Sequence, residues 1–137
     1  MKKIILLIYL LVPFNYAYDD EDLSKLLASN FCENCDLSNA NLKKYNLQKA
    51  KLSGSNFYGT DFSGADFTGA DLSYTNLSKS IGYITILKNV NLEGADLTNA
   101  KLNGADLRNA NLTDATLINS NLSKTISSDI ILDGSNL

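Results

Sequence analysis

The stretch EGADLTNAKLNGADLRNANL, residues 93–112, places a leucine at every fifth position, at Leu97, Leu102, Leu107 and Leu112. An alanine stands two residues before each of these leucines. An α-helix repeats its buried face about every 3.6 residues and a β-strand about every 2. Neither element buries a period of five over many repeats, so the backbone has to turn a corner once in each repeat.

The same period extends from residue 35 to the end of the sequence, and only Gly82 and Ser127 interrupt the series of large apolar centres. Asp, Asn, Gly and Ser stand between the centres, and these residues tolerate tight turns and left-handed backbone conformations. A chain that turns at every fifth residue winds into a solenoid, in which each coil buries its apolar side chains by stacking on the next. The predicted core ladder includes Leu37, Phe57, Phe62, Phe67, Leu77, Leu97, Leu102, Leu107, Leu112 and Leu117.

Two of the repeats are Ala65–Gly69, with the sequence ADFTG, and Ala95–Asn99, with the sequence ADLTN. They resemble the repeats of the pentapeptide repeat family, whose motif is A(D/N)LXX. The resemblance covers residues 35–137 and implies an all-β fold, a right-handed quadrilateral β-helix with four repeats per coil and about five coils. Residues twenty positions apart would then stack in columns, and coils about 4.8 Å apart would give a rod about 24 Å long.

Some positions are expected to make this rod irregular. Gly82 is expected to leave a gap in its column, and Tyr45, too large for an inward small position, is expected to distort its coil. Phe57, Phe62 and Phe67 occupy three faces of one coil and are expected to form an aromatic layer.

Residues 1–17, MKKIILLIYLLVPFNYA, have the composition of a secretory signal peptide. Two lysines precede an apolar run from Ile4 to Val12, and Pro13 and the small residue Ala17 follow it. The run is shorter than the roughly 20 apolar residues that span a bilayer. We therefore expect an exported protein, periplasmic or secreted, with no stable membrane anchor after cleavage. The alternative is that this segment is a buried strand or helix of the domain.

Residues 18–34 are expected to form a capping helix and the connection to the rod. The segment Asp19–Phe31 is expected to be an amphipathic helix, because its apolar residues are spaced three and four positions apart and would share one face: Leu23, Leu26, Leu27 and Phe31. The acidic residues at its start suit the positive end of the helix dipole. A frayed remnant left after signal cleavage is the alternative.

Cys32 and Cys35 are the two cysteines of the sequence and form a CxxC motif. In an exported protein a disulfide between them is expected, and it would join the capping helix to the first coil. A thioredoxin-like redox pair would need a βαβ unit, and a zinc site would need about four ligands. The sequence has no histidine, and we predict no metal or cofactor.

The sequence contains no recognisable catalytic group. Without histidine there is no imidazole base, and we expect no enzyme activity. The carboxylates that recur with the repeat are expected to be solvated turn residues: Asp61, Asp66, Asp71, Asp96 and Asp106.

The charge balance argues against nucleic-acid binding. Without Lys2 and Lys3 of the predicted signal peptide, 10 basic and 15 acidic residues remain, a formal charge of −5. A nucleic-acid-binding domain would need a basic stripe.

Two departures from the motif predict a partner surface. In Ile81–Leu87, outward positions that are usually polar hold Tyr83, Ile84 and Ile86, so we expect a contact patch, a small bulged loop or a locally repacked coil. In Thr125–Leu137, the departing residues are Ile126, Ile130 and Ile131. Because an open coil end exposes backbone groups and apolar edges, a homodimer through the C-terminal coil is also expected.

Three function classes follow. We favour an exported, non-enzymatic structural or protein-interaction module with an unknown protein partner. The resemblance implies an alternative, since some cytoplasmic members of the family mimic duplex DNA and protect DNA gyrase. That role would need acidic columns on one face, whereas lysines are scattered among the acidic residues at Lys43, Lys44, Lys49, Lys51, Lys79 and Lys101. The third class is an enzyme or a metal-binding accessory protein, and the sequence contains no group of residues typical of a catalytic or metal site.

Overall fold

The computed structural model describes residues 18–136 and consists of one α-helix followed by a solenoid. Helix α1 spans Asp20–Ser29. The chain after it pairs through isolated parallel β-bridges between residues twenty positions apart, from the pair Phe31 and Lys51 to the pair Thr116 and Asn136. Within residues 18–136 these single-residue bridges replace longer strands. Because the repeat is five residues long, a separation of twenty gives four repeats per coil. The predicted signal peptide, residues 1–17, lies outside the described residues.

Four repeats per coil give the rod four faces, which we name A to D in chain order. A face comprises four residues: the one before the central residue, the central residue itself and the two after it. The last of these four forms the corner and is counted with the face that it ends. Faces A and C are opposite each other, as are faces B and D. The central residues of face A are Leu37, Phe57, Leu77, Leu97 and Leu117. Those of face B are Leu42, Phe62, Gly82, Leu102 and Leu122. Those of face C are Leu47, Phe67, Leu87, Leu107 and Ser127. Those of face D are Cys32, Leu52, Leu72, Leu92, Leu112 and Leu132.

The repeat around Leu97 shows the backbone hydrogen bonds that hold the coils together. The N–H of Leu97 donates to the carbonyl of Thr116 in the next coil, and the N–H of Thr116 donates back to Ala95, with N···O distances of 2.7 and 2.9 Å. At the corner, the N–H of Ala100 donates to the carbonyl of Leu97 at 2.9 Å. The bonds between Leu97, Thr116 and Ala95 therefore join neighbouring coils, and the bond between Ala100 and Leu97 closes the turn.

The second residue after each centre turns the corner with a positive φ, between 50° and 72°. A tight turn with a left-handed third residue favours glycine or asparagine. Gly104, with a φ of 72°, and Asn99, with a φ of 59°, are examples. Ile84 occupies the same position with a φ of 50°, a conformation that β-branched residues rarely adopt.

The apolar centres fill the interior of the rod. All ten residues of the predicted core ladder are buried, with relative exposures of 0–3%. The rings of Phe62 and Phe67 meet edge to face with centroids 5.5 Å apart, and those of Phe57 and Phe67 meet in the same way at 6.4 Å. One coil of the rod therefore has an aromatic interior.

Gly82 leaves no gap in its column, and the expectation of one is wrong. Phe62 from the coil before and Leu102 from the coil after extend into the space beside Gly82. A Cβ placed on Gly82 would lie 2.8 Å from Cδ2 of Leu102 and 2.9 Å from Cδ2 of Phe62. The larger phenylalanine thus fills the volume that a leucine occupies in other coils.

Tyr45 does not distort its coil, although it stands at an inward small position. Its side chain is turned outward and is 41% exposed. The N–H of Asp66 still donates to the carbonyl of Tyr45 at 3.0 Å, and the N–H of Tyr45 still closes its turn on Leu42 at 3.3 Å. The backbone keeps its register because the ring leaves the core.

Helix α1 lies against the first coil but buries less of its surface than the sequence pattern predicts. Asp19 caps its start, with Oδ1 accepting the N–H of Glu21 at 2.8 Å. Leu26 is fully buried, whereas Leu27 and Phe31 are exposed, so the prediction of one common buried face is wrong for these two. Phe31 lies beyond the end of the helix and forms the first β-bridge instead.

Two hydrogen bonds attach α1 to the first coil. The N–H of Asp19 donates to the carbonyl of Asp36 at 3.0 Å, and the N–H of Asp36 donates to Oδ2 of Asp22 at 2.8 Å.

In the part of the chain that the structure describes, no helix is long and apolar enough to cross a membrane.

Candidate interaction surface

The irregular stretch at residues 80–89 keeps the regular backbone pairing. Ile81 forms bridges with Asp61 in the coil before and with Lys101 in the coil after. The N–H of Ile84 donates to the carbonyl of Asn103 at 3.0 Å. The bulged loop, one of the expected alternatives, does not form here, and the outward side chains stand on a regular coil.

Three apolar side chains of this coil face solvent. Ile84 is 72% exposed, and Tyr83 and Ile86 are exposed as well. Tyr83 lies on face B, Ile84 lies at the corner between faces B and C, and Ile86 lies on face C. We call these three residues the Tyr83 patch. A cluster of exposed large apolar residues on a small protein is typical of a contact site.

The second predicted group of contact residues is only partly exposed. Ile126 and Ile131 are each 52% exposed, but Ile130 occupies an inward position, is half-buried and packs against the core. Ile130 therefore offers less surface to a partner than Ile126 and Ile131 do. Ile126 stands two coils beyond Ile86 in the same column, with Asp106 between them. A charged residue thus separates the second group from the Tyr83 patch.

A shallow groove of 470 Å³ lies along face B beside the Tyr83 patch. Its lining residues are Tyr83, Asn99, Ala100, Lys101, Asn103, Asn119 and Asn121. Asn103 Nδ2 donates to Ser123 Oγ at 2.6 Å, whereas the exposed amides of Asn99 and Asn119 are available to a partner as donors and acceptors. Sequence reasoning missed this groove. If the residues twenty positions apart had been grouped into columns, the asparagines that line the groove would have been found next to one another.

The aspartates that precede the centres close the turns. Oδ1 of Asp71 accepts the N–H of Ser73 at 3.2 Å and its hydroxyl at 2.7 Å. Asp66 accepts the same two groups from Thr68 at 2.9 and 2.6 Å. The bond to the N–H two residues on is also made by Asp61, Asp96 and Asp106. All five residues are half-buried and keep part of their surface in contact with solvent, and the expectation that they are turn residues is confirmed.

These hydrogen bonds hold the pKa of several carboxylates below the ordinary value. Burial alone would raise the pKa of Asp71, but hydrogen bonds from Ser73 and Asn91 outweigh it and the net pKa is lowered. For Asp66, burial also opposes the shift, and hydrogen bonds from Thr68 and Gln48 lower the pKa. These carboxylates are ionised at neutral pH and have no proton to donate as general acids.

Cys32 and Cys35 form a disulfide with a Cα–Cα distance of 5.5 Å. Cys32 is the first centre of face D and Cys35 begins the next repeat, so the bond spans the first corner of the rod and, contrary to the expectation, does not join the helix to the first coil. Ser55, adjacent to Cys35 in the next coil, replaces the usual hydrogen bond of the turn. Its Oγ accepts the N–H of Cys35 at 3.1 Å and donates to the carbonyl of Cys32 at 2.5 Å.

The carboxylate of Asp22 comes within 4.8 Å of both sulfur atoms of the disulfide. Two sulfurs that are bonded to each other offer no thiolate to a metal ion. This cluster therefore does not suit a zinc site in the oxidised protein.

The charged side chains are sorted by face. Face B has four lysines and one aspartate, a net charge of +3, whereas face D has five acidic residues and one lysine, a net charge of −4. The residues on face B are Lys43, Lys44, Lys101, Lys124 and Asp61. Those on face D are Glu33, Asp71, Glu93, Asp114, Asp133 and Lys51. The expectation that lysines are scattered among the acidic residues is wrong for Lys43, Lys44 and Lys101, which share face B. It holds for Lys49, Lys51 and Lys79, which lie on faces that also carry acidic residues.

The family model for pentapeptide repeats (8 copies) matches residues 46–81, 85–114 and 110–137, more than half of the chain. The chain belongs to the pentapeptide repeat family.

Solved structures of other pentapeptide repeat proteins are similar to this one. The pentapeptide repeat protein Rfr23 from the cyanobacterium Cyanothece 51142 is 32% identical, with a TM-score of 0.66 over 85% of this chain and 97% of that chain. The pentapeptide repeat protein alr5209 from Nostoc Pcc 7120 is 26% identical, with a TM-score of 0.50 over 77% of this chain and 71% of that chain.

A weaker likeness links this pentapeptide repeat protein to QnrB1, a plasmid-mediated fluoroquinolone resistance protein. The identity is 17% and the TM-score 0.49 over 75% of this chain and 56% of that chain, values too low to support an argument about function. Among curated proteins, none matched this pentapeptide repeat protein.

Proposed function

We propose that this chain is an exported, non-enzymatic pentapeptide repeat protein that presents a rigid surface to a protein partner through the Tyr83 patch. The observation that carries the proposal is Ile84, a β-branched residue that is 72% exposed at a left-handed corner. Neither the exposure nor the positive φ favours isoleucine at this position. Burying such a side chain against a partner would contribute about 1.5–3 kcal/mol.

The surface is rigid because the coil that carries the Tyr83 patch is held on both sides. Around the patch, the N–H of Phe62 donates to the carbonyl of Ile81 at 2.8 Å, and the N–H of Gly82 donates to the carbonyl of Lys101 at 2.8 Å. A preformed surface loses little conformational entropy on binding. We also infer that the coil is right-handed, as crossovers between parallel strands nearly always are.

Two features support export. The sequence of residues 1–17 has the order of regions of a signal peptide, and the disulfide between Cys32 and Cys35 suits an oxidising compartment.

The proposed absence of enzyme activity is supported by the roles of the polar side chains, which accept hydrogen bonds within the fold. The sequence contains no histidine, and the recurring aspartates such as Asp66 and Asp71 serve as acceptors within their own turns. The groove on face B is lined mainly by amides, which are suited to binding and poor as acids or bases.

The acidic face D favours a second candidate, the cytoplasmic DNA mimic that protects DNA gyrase. A comparison of charge density argues against it. Duplex DNA carries one negative charge per about 1.7 Å, or about 14 over a rod of about 24 Å. The four faces of this rod together carry a net charge of −2, and face D alone −4, so the first candidate is preferred.

Export is tested by fractionating the cells that make the protein and sequencing the amino terminus of the mature chain. We expect a chain that begins at Tyr18 outside the cytoplasm, with cysteines that react with iodoacetamide only after reduction. A cytoplasmic chain that retains Met1 would contradict export and favour the DNA mimic.

The contact is tested with a photo-crosslinking amino acid at Ile84 in the producing cells. The matched control has the same amino acid at Asn109, an exposed corner residue of the following coil. We expect a crosslinked product from position 84 and none from position 109. No product from position 84, or equal products from both, would argue against the Tyr83 patch.

A further inference from the structure

Opposite charges are displayed on opposite sides of this rod. Lys44, Lys101 and Lys124 on face B are exposed, and among the contacts of residues 18–136 none of them has an acidic partner. On face D the exposed acids Glu33, Asp114 and Asp133 likewise have no basic partner within the described chain. Faces A and C, with net charges of −1 and 0, show no such contrast.

We propose that face B of one copy docks on face D of a second copy, so that the rods associate side by side. This goes beyond the proposed function and does not depend on it. Both faces are built from the same coils about 4.8 Å apart, so the charges on the two surfaces share one spacing. Complementary potentials of this kind guide association and fix register.

The attraction depends on the opposite net charges of the two faces, +3 on face B and −4 on face D.

The contact joins two different surfaces, so it is heterologous and does not close on itself. Exposed ion pairs are individually weak and are screened by salt. The association should therefore grow with protein concentration, extend beyond dimers and disappear at high ionic strength.

Charge-swap variants test this arrangement. The face B variant carries Lys44→Asp, Lys101→Asp and Lys124→Asp, and the face D variant carries Glu33→Lys, Glu93→Lys and Asp114→Lys. Each substitution introduces a residue type that the chain already has at the same position of another repeat. Circular dichroism and thermal melting verify that both variants fold like the natural chain.

Sedimentation velocity of the purified mature protein is then measured at about 10 mM and about 1 M salt, where the Debye length falls from about 30 to about 3 Å. We expect the natural chain to show a weight-average mass at least twofold above the monomer at low salt and high concentration, and monomers at high salt. Each variant alone should stay monomeric at low salt, whereas an equimolar mixture should regain the association.

Other outcomes would overturn the proposal. The proposal is wrong if the natural chain is monomeric at low salt, if either variant associates as the natural chain does, or if the mixture does not associate. A dimer that is insensitive to salt and is lost in Leu132→Asp would instead show pairing through the C-terminal coil. If single swaps are needed because a triple variant does not fold, Lys124→Asp and Asp114→Lys serve in the same design.

Discussion

The ring of Phe62 occupies the space that a side chain on Gly82 would take. The two residues are adjacent in one column, and their sizes are matched: the column holds a phenylalanine where other coils hold a leucine, and a glycine directly next to it. The interior of the solenoid is therefore packed across coils and not coil by coil.

Gly82→Leu should destabilise the protein by about 1–3 kcal/mol, because it overfills the space beside Phe62 and Leu102. The double variant Gly82→Leu/Phe62→Leu should recover most of this loss, since it restores a leucine in both coils. Urea unfolding followed by circular dichroism gives both values. Additive losses in the double variant would show that the two side chains do not share one space.

Ser80→Ala should raise the free energy of unfolding by about 1 kcal/mol. Among residues 18–136, Ser80 Oγ is buried without a hydrogen-bond partner, and an unpaired buried hydroxyl costs stability. The matched control is Thr60→Ala in the same column, where Thr60 Oγ1 donates to the carbonyl of Leu37 at 2.6 Å. Thr60→Ala should lower stability, and a loss of stability in Ser80→Ala would contradict the assignment of an unpaired hydroxyl.

The turn aspartates should make the protein less stable in acid. The pKa values of Asp61, Asp66 and Asp71 are lower in the folded chain than the ordinary value, because hydrogen bonds outweigh the opposing effect of burial. A carboxylate with a lowered folded pKa contributes stability above its unfolded pKa of about 3.9 and loses it as the pH falls through the folded pKa. Stability should therefore decline as the pH is lowered below about 4.

Replacing these three aspartates with asparagine tests that explanation. Asparagine already precedes the centre in other repeats, where Asn76 Oδ1 accepts the N–H of Ser78 at 3.0 Å. The triple variant should fold at neutral pH and show a shallower loss of stability in acid. Thermal melting between about pH 7 and pH 2 measures the slope. Equal slopes in the two proteins would mean that other groups cause the acid sensitivity.

Reduction of the disulfide should cost about 2 kcal/mol, the entropy expected for a closed loop as short as the three-residue separation of Cys32 and Cys35. The rod should stay folded, because Ser55 also links the two residues. Melting with and without dithiothreitol measures the effect, and Cys32→Ala/Cys35→Ala serves as a control that should not respond to the reductant. Complete unfolding on reduction would show that the first corner is required for the fold.

The five-residue period was sufficient to predict the repeat, because it is kept over a hundred residues. The stacking of residues twenty apart followed from the resemblance to a family with four repeats per coil, and the helix followed from the spacing of Leu23, Leu26 and Leu27. Single side chains were harder to predict. Tyr45 was expected inside because its position in the repeat is inward, yet a ring can turn outward without moving the backbone. Gly82 was expected to leave a gap because the size of its neighbour Phe62 in the preceding coil was not taken into account.

The surface was predicted less well than the core. The residues of the Tyr83 patch were recognised because they break a polar pattern. The separation of charge between faces B and D was missed because charges were read along the chain, in which Lys101 is close to Asp96 and Asp106. Reading the same residues by column would have separated them.

The length of one coil has a consequence for how the molecule can change in size. Removal or addition of twenty residues shifts every later side chain along the rod by one step and keeps it on its own side. Removal of five residues would turn the remainder by a quarter of a revolution. After such a deletion between Lys44 and Lys101, the two lysines would point in perpendicular directions, although every contact in the interior would be of the same kind as before.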